Sequence, residues 1–338
     1  MELSLIIPIF NAEKTIRKTL DAISAQKLCE IEVLLIDNGS TDNSSQICRD
    51  YVKKDSRFKY FYVSKSGVSL ARNKGLELAK GKYVCFCDAD DVPNENMYGI
   101  LLSDIKEHQT DVVMCNYYSQ RDDVVSKFPN QLTGVVDKNG IEEYLIPAMF
   151  GGDKQVDAVW GTVWRCIFKK EIIDANFLKF DEKLTFAEDL LFVITYLNAS
   201  ETVFFETENL YYYTYTPGSA MLSYNKVKSG LFVERAHLIE SLIKALEQKN
   251  LYERNIECIN QVFQEYVLEC VGNASIKQKD NTFRNALANV RTIVRNSLVK
   301  SIFKTKNKVG GKRRIVFSLI KQRQALILLL YYRLRKRH

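Results

Sequence analysis

Over the first third of the chain the hydrophobic positions alternate between two periods. Residues 3–9, 31–36, 58–63, 83–87 and 111–117 are apolar runs of strand length. Between them the spacing becomes helical, with Ile16, Leu20 and Ile23 inside 13–26, then 42–52, 68–79 and 96–108. Runs that are apolar on both faces, separated by helices of about 12 residues, predict βαβ units and a mostly parallel sheet. The stretch 120–225 is less regular. From Lys228 the pattern is helical, over 228–248, 252–276, 280–303 and 312–336. The 338 residues suit two domains, and no internal repeat or low-complexity tract is evident.

In open α/β sheets, ligands bind beyond the carboxyl ends of the strands. That rule marks Pro8-Ile-Phe-Asn11, Asp37-Asn-Gly-Ser-Thr-Asp42 and Asp88-Ala-Asp90, all expected on one edge. Asp88 and Asp90, at i and i+2 in an extended segment leaving a strand, can converge on one hard divalent cation. Mg²⁺ or Mn²⁺ takes such oxygen ligands and completes its shell with water and substrate phosphates. The competing reading is an acidic turn. The first βα turn has no G-x-G-x-x-G and the chain has no G-x-x-x-x-G-K-[ST], which disfavours a dinucleotide oxidoreductase and a P-loop NTPase. A nucleotidyltransferase lacks support for the same reason. A phosphate-bearing ligand would need the metal.

Composition changes the picture at one end only. The hydrophobic content of 46% is that of a folded protein. The net charge of +7 hides an asymmetry, because residues 281–338 carry 16 of the 48 Lys and Arg and no Asp or Glu. That leaves 32 basic groups against 41 acids in the rest, an acidic body with a basic tail and a polyanion partner expected for the tail. The eight Cys (29, 48, 85, 87, 115, 166, 258, 270) show no metal-type spacing. With no leader pattern at the N-terminus, reduced thiols and a cytosolic location are expected. No uncharged apolar run reaches the roughly 20 residues that span a bilayer.

Four segments carry a family resemblance: Ser4-Leu-Ile-Ile-Pro-Ile-Phe-Asn11, Glu32-Val-Leu-Leu-Ile-Asp-Asn-Gly-Ser-Thr-Asp-Asn-Ser44, Gly67-Val-Ser-Leu-Ala-Arg-Asn-Lys-Gly75 and Gly81-Lys-Tyr-Val-Cys-Phe-Cys-Asp-Ala-Asp-Asp91. Each is weak alone, and the four in this order and spacing are specific. Together they resemble the family 2 glycosyltransferases of the GT-A fold, closely over 1–118 and more loosely to about 221. The resemblance implies a Rossmann-like GT-A domain over 1–225, with a nucleotide-sugar half (1–118) and an acceptor half (119–225), followed by a helical region at 226–338. It implies inverting transfer from a nucleotide-diphospho sugar, most often UDP-linked, to a glycan or lipid-linked acceptor in cell-surface polysaccharide synthesis. Residue by residue, it places Pro8, Asn11, Asp37, Arg72, Asp88 and Ala89 at the nucleotide, with Asp37 accepting from a base N–H. Asp90 and Asp88 would hold Mn²⁺ or Mg²⁺. In the competing structural reading Pro8 ends a strand, Asn11 caps a helix and Asn73 ties down a loop.

Inversion needs a base to take the acceptor's proton. Phe180-Asp-Glu-Lys-Leu-Thr-Phe-Ala-Glu-Asp-Leu-Leu-Phe192 resembles the family's segment ending in Glu-Asp. It implies Asp189 as the base, with Glu188 raising its pKa or orienting the acceptor; two acids at a helix start are otherwise ordinary dipole complements. Trp160 and Trp164 either stack on an acceptor sugar or belong to the core. The chain departs from the family at Cys166, where Lys is common, and at Thr214-Tyr-Thr216, where many members carry Arg.

The tail combines Ile315, Val316, Leu319, Ile320, Ile327, Leu330 and Leu334 with many cations, the composition of a helix lying in a membrane interface. Docking on the protein's own body or a homo-oligomer contact would also use those positions; nucleic acid is disfavoured because no recognition motif is present. The combined reading is a metal-dependent glycosyltransferase, peripheral on the cytoplasmic face of the membrane. The alternative is a membrane-docked nucleotide-sugar-binding protein without transferase activity, against which Asp88, Asp90 and Asp189 argue.

Overall fold

The computed structural model describes residues 1–338 apart from 28–29, 66, 122–123, 129–131, 152–160, 216–229, 248–249, 278–280, 305–310 and 336–338. The chain is α/β and divides into two compact units, 1–149 with 153–217, and 150–152 with 218–338.

The first unit is built on strands β1 (Leu3–Ile9), β2 (Ile31–Asp37), β3 (Phe58–Tyr62), β4 (Tyr83–Phe86), β5 (Val92–Pro93), β6 (Val112–Arg121), β7 (Val124–Phe128), β8 (Gly134–Val136), β9 (Cys166–Lys169) and β10 (Val203–Thr214). Among the described residues they form one sheet in the order β3-β2-β1-β4-β9-β6-β10-β5, with β7 on β6 and β8 on β10. Strands β3-β2-β1-β4 are parallel throughout. Strand β9 runs antiparallel between β4 and β6, and β6 and β10 are again parallel. Helices α1 (Ile16–Ser24), α2 (Ser44–Lys54), α3 (Val68–Leu78) and α4 (Met97–Glu107) connect the first half.

The continuous apolar runs become strands because both of their faces are covered. On one face Leu3, Leu5, Ile7 and Ile9 of β1 join Ile16, Leu20 and Ile23 of α1, Ile47 and Tyr51 of α2, and Met97 and Leu101 of α4 in one core. On the other face α3 lies against β1. Phe86 there meets Phe168, Phe180 and Phe192 edge-on, at 5.3–6.1 Å between ring centroids. Phe192 belongs to the helix Glu188–Ala199, so the aromatic cluster fixes that helix under the carboxyl end of β4.

The second unit consists chiefly of the helices Leu231–Glu247, Ile256–Ser275, Phe283–Arg295, Ser297–Ile302, Gly311–Lys321 and Ala325–Arg335. The predicted helix over 252–276 breaks at Asn255, between Leu251–Arg254 and Ile256–Ser275, and two later segments whose periodicity predicts single helices are each broken. Over 280–303 the break is Asn296, whose side chain accepts the N–H groups of Leu298 and Val299 and caps a new helix. Over 312–336 it is Arg323, with φ of +57°, while the Gln324 N–H turns back to the Leu319 carbonyl (2.8 Å). Apolar spacing continues across both breaks, so periodicity alone hides them. The last helix packs on Ile256–Ser275 and Phe283–Arg295, burying Leu328 and Leu329. Arg333 donates to the Ser275 and Asn281 carbonyls. The inner stripe of the tail is therefore core.

Gly75 shows how closely α3 approaches the sheet: a Cβ there would lie 2.3 Å from Ile6 Cγ2. Gly75→Ala is expected to destabilise by about 1–3 kcal/mol through overpacking, reduced by up to about 1 kcal/mol of helix propensity. Urea midpoints check this, and the cost should shrink in an Ile6→Ala background; an equal cost in both backgrounds would exclude the contact as its cause.

Candidate functional site

Strand order reverses between β1 and β4, the switch point at which α/β sheets bind ligands. Even-numbered residues of β1 face β4, since Tyr83 N–H donates to the Glu2 carbonyl (2.9 Å) and Cys87 N–H to that of Ile6 (3.1 Å). Pro8 falls on that side, just past the last β1–β4 pair at Ile6 and Phe86. Its missing N–H thus costs no ladder bond where the sheet opens. Asn11 adopts the left-handed conformation (φ +49°) and ties two loops together. Its Oδ1 accepts the Thr41 N–H (2.8 Å), and its own N–H donates to Ser40 Oγ (3.1 Å).

Asp37 is 0% exposed. Its Oδ1 accepts the Ser40 N–H (2.9 Å), and its Oδ2 accepts the hydroxyls of Tyr60 (2.6 Å) and Ser45. Burial works to raise its pKa, but these hydrogen bonds outweigh burial and hold the carboxyl below its usual value. Asp37 thus organises its own loop, and a direct base contact at Asp37 does not fit this arrangement. The next residue, Asn38, is 3% exposed, and its Oδ1 has no hydrogen-bond partner among the described residues. A buried acceptor without a donor is costly, which makes Asn38 the better candidate to read a base N–H. Chain alternation at the strand end is the signal that separates the two.

The segment after β4 is clamped from α1. The Ala89 carbonyl accepts the hydroxyls of Thr15 (3.0 Å) and Thr19 (3.1 Å), and Thr19 also donates to the Asp91 carbonyl (2.8 Å). Asp91 is fully buried, with Oδ2 accepting the Tyr211 hydroxyl (2.9 Å) and Oδ1 the Thr214 N–H (2.7 Å). Burial and the charges of Asp88 and Asp90 push its pKa well up. Asp91 therefore pins the end of β10, while Asp88 and Asp90 stay partly exposed. No cluster of three metal-type side chains occurs among the described residues. Two carboxylates fit an ion of the Mg²⁺ or Mn²⁺ class that shares its shell with substrate phosphates rather than one caged by protein.

Arg72 of α3 is buried and joins this loop to the second acidic motif. Its Nη2 donates to Asp88 Oδ1 (3.0 Å) and its Nη1 to Glu188 Oε1 (2.8 Å), with Phe180 5.3 Å below the guanidinium. Its neighbour Asn73 exchanges hydrogen bonds with the Phe180 backbone (2.8 and 2.9 Å), tying down the segment that leads to Glu188. Asp189 follows, partly buried, with Oδ1 accepting the Leu190 N–H (2.9 Å). Burial first, then the Glu188 charge, push its pKa up to about 7, against the opposing pull of Arg72. Ala187, immediately before the pair, has φ of +54°, a conformation that costs a non-glycine residue about 1–3 kcal/mol and collects at functional sites.

Trp164 is 5% exposed. It stacks on Tyr211 (4.5 Å) and Tyr213 (5.8 Å) and meets Tyr117 edge-on (5.0 Å), so its ring is taken up by the core rather than offered to a sugar. Trp160 lies outside the described residues. Tyr211, which no motif marks, has a hydroxyl that donates to Asp91 and accepts the Asp88 N–H (3.2 Å). Its only signal is a place in an aromatic strand.

Residues 4–168 match the domain described as Glycosyl transferase family 2. The chain is 34% identical over 218 residues to an uncharacterized glycosyltransferase, EpsJ, of Bacillus subtilis (strain 168), covering 64% of this chain and 62% of that protein. It is 32% identical over 227 residues to the glycosyltransferase GlyG of Streptococcus pneumoniae serotype 4, covering 65% and 72% respectively. A crystal structure of Staphylococcus aureus TarS 1–349 in complex with UDP-GlcNAc shares the fold, with a TM-score of 0.69, 20% identity and coverage of 97% of this chain and 90% of that one. The clamped aspartate loop, the Arg72 bridge and these similarities converge, and the chain belongs to family 2 of the glycosyltransferases.

Proposed function

We propose that this chain catalyses inverting transfer of a sugar from a nucleotide-diphospho sugar, UDP-linked by preference, to a hydroxyl of a glycan or lipid-linked acceptor in cell-surface polysaccharide synthesis. The observation that carries the reading is Asp189, a carboxylate with its pKa pushed up to about 7 and held through Glu188 and Arg72 to Asp88. The UDP-GlcNAc bound by TarS supports the choice of carrier.

In this reading Asn38 accepts from the base, and the loop that Asp37 and Asn11 organise borders the nucleoside. A divalent cation on Asp88 and Asp90, Mn²⁺ or Mg²⁺, would neutralise charge on the diphosphate when bound. Asp189 takes the proton of the acceptor hydroxyl as its oxygen forms a bond to the anomeric carbon. The bond from that carbon to the diphosphate breaks, and its electron pair leaves with the phosphate oxygen. The nucleophile is the acceptor itself, so the enzyme forms no covalent intermediate. Arg72 sets the ionisation of the base and keeps Asp88 pointed into the site.

The tail gives this reaction a place. On the last helix Leu326, Ile327, Leu330 and Leu334 are 43–65% exposed, at the spacing of a single face. Arg314, Lys321 and Arg323 are exposed in the same helical pair. No helix among the described residues is long and apolar enough to cross a membrane. An apolar ridge with cations and no acids fits the surface of an anionic bilayer, where each nearby cation contributes about 1 kcal/mol. Self-association is disfavoured by the like charge of a second copy.

Radiolabelled transfer over a panel of nucleotide sugars with Mn²⁺ tests the reaction. Asp189→Asn should bind donor but lose about 10²–10⁴-fold in turnover, and EDTA should abolish transfer. Turnover near wild type in the variant would exclude Asp189 as base, while donor binding without transfer in the wild type would favour the binding-protein reading. Because the base must be ionised, kcat/KM should rise with pH through a limb near 7. Arg72 lowers that pKa, so Arg72→Met should move the limb to higher pH and Arg72→Lys should largely hold it; an unmoved limb in Arg72→Met would separate Arg72 from the base. The full chain should float with vesicles containing phosphatidylglycerol and not with phosphatidylcholine alone. Ile327→Ser, Leu330→Ser and Leu334→Ser combined should abolish flotation, and equal flotation would remove the membrane from the proposal.

A further inference from the structure

Arg165 has a side chain that the proposed reaction leaves unused. It is 1% exposed, and its Nε and Nη2 have no hydrogen-bond partner among the described residues. Among the described residues no carboxylate pairs with it; its one side-chain contact of note is the face of Tyr117, 5.6 Å from the guanidinium carbon. The other buried arginines differ: Arg72 holds two carboxylates and Arg235 holds Glu269. A cation taken out of water without a counter-ion weakens a fold, so such a group is retained where something else supplies the negative charge.

Its position says what that is. Arg165 immediately precedes β9, and its carbonyl accepts the Cys115 N–H (3.0 Å) from β6. On the other side, Cys85 pairs with Ile167, so antiparallel register puts Arg165 level with Cys87, one residue before Asp88. The turn that carries it also lies on the Asp189 helix, for a Cβ on Gly161 would stand 2.6 Å from Leu190 Cδ1. The Cys166 thiol feels both charges, with burial and Asp189 raising its pKa and Arg165 lowering it. The segment that carries Arg165 therefore runs between the aspartate loop after β4 and the helix of the base, with the guanidinium over the face of Tyr117.

We infer that Arg165 is a phosphate-binding residue of this site: the buried guanidinium takes a phosphate oxygen of the bound ligand as its missing counter-ion. The inference rests on the transferase reading. Two ligands could bring that oxygen, the donor's diphosphate or a phosphate on the acceptor, and a planar fork of N–H donors suits either.

Calorimetry with Mn²⁺ present decides. The wild type should bind UDP well above uridine. In Arg165→Met, UDP should weaken about tenfold, the scale of one charge-assisted hydrogen bond, with uridine unchanged, and Arg165→Lys should fall between them. Unchanged UDP binding together with lost binding of inorganic phosphate to the UDP-loaded protein would assign the oxygen to the acceptor. Without ligand, Arg165→Met should melt no lower than the wild type, since it removes an uncompensated buried charge. Wild-type binding of both UDP and phosphate by Arg165→Met would overturn the inference, as would a chain that no longer folds without the guanidinium. A wild type that binds neither UDP nor any nucleotide sugar would sink the transferase reading instead; the phosphate comparison on the UDP-free chain would still test Arg165.

Discussion

The site depends on one buried cation. Arg72 leaves α3 and divides its guanidinium between Asp88, at the end of β4, and Glu188, at the start of the helix under it. A lone arginine at that depth would be destabilising, and a lone Glu188 equally so; together they form a pair that holds two distant parts of the chain at fixed separation. Removing Arg72 would leave Glu188 buried without that counter-charge. The same bridge governs chemistry, because Asp189 sits in the opposing fields of Glu188 and Arg72. Burial and Glu188 carry its proton affinity toward neutrality, and Arg72 keeps it from rising further. The ion pair and the raised proton affinity of Asp189 are here one arrangement.

Around that bridge the carboxylates divide into two kinds. Asp37 and Asp91 lie in the most acidic loops, yet both are fully buried and satisfied by the protein's own hydroxyls and N–H groups. They shape the loops that carry Asn38 and the Asp88–Asp90 pair. Asp88 and Asp90, beside them, keep partial exposure. Thr15, Thr19 and Tyr211 complete the arrangement by fixing the backbone around Asp88 to Asp91 from both sides. Such support fixes the backbone that carries the two carboxylates.

The tail likewise divides, by stripe rather than by residue type. Leu328 and Leu329 are core to the second unit, whereas Leu326, Ile327, Leu330 and Leu334 face out among cations. Packing and surface binding are thus compatible on one helix, since inward and outward positions recur every three to four residues.

The sequence by itself determined the alternation of strands and helices, the edge where the chemistry lies, and the pairs Asp88–Asp90 and Glu188–Asp189. Those follow from local periodicity and from residue types whose chemistry is fixed wherever they stand. It could not say that Asp37 is satisfied by its own loop while the Asn38 Oδ1 finds no partner among the described residues, which aspartate of Asp90-Asp91 is fully buried, that Trp164 is enclosed by three tyrosines, or that the apolar tail turns back at Arg323. Nor could it say that Arg72 and Glu188, 116 positions apart, meet at 2.8 Å, or that Arg165 is buried with no carboxylate paired to it among the described residues. Each of these depends on which face of an element another segment covers. That is a property of contacts between residues far apart in the chain, and only the tertiary structure decides it.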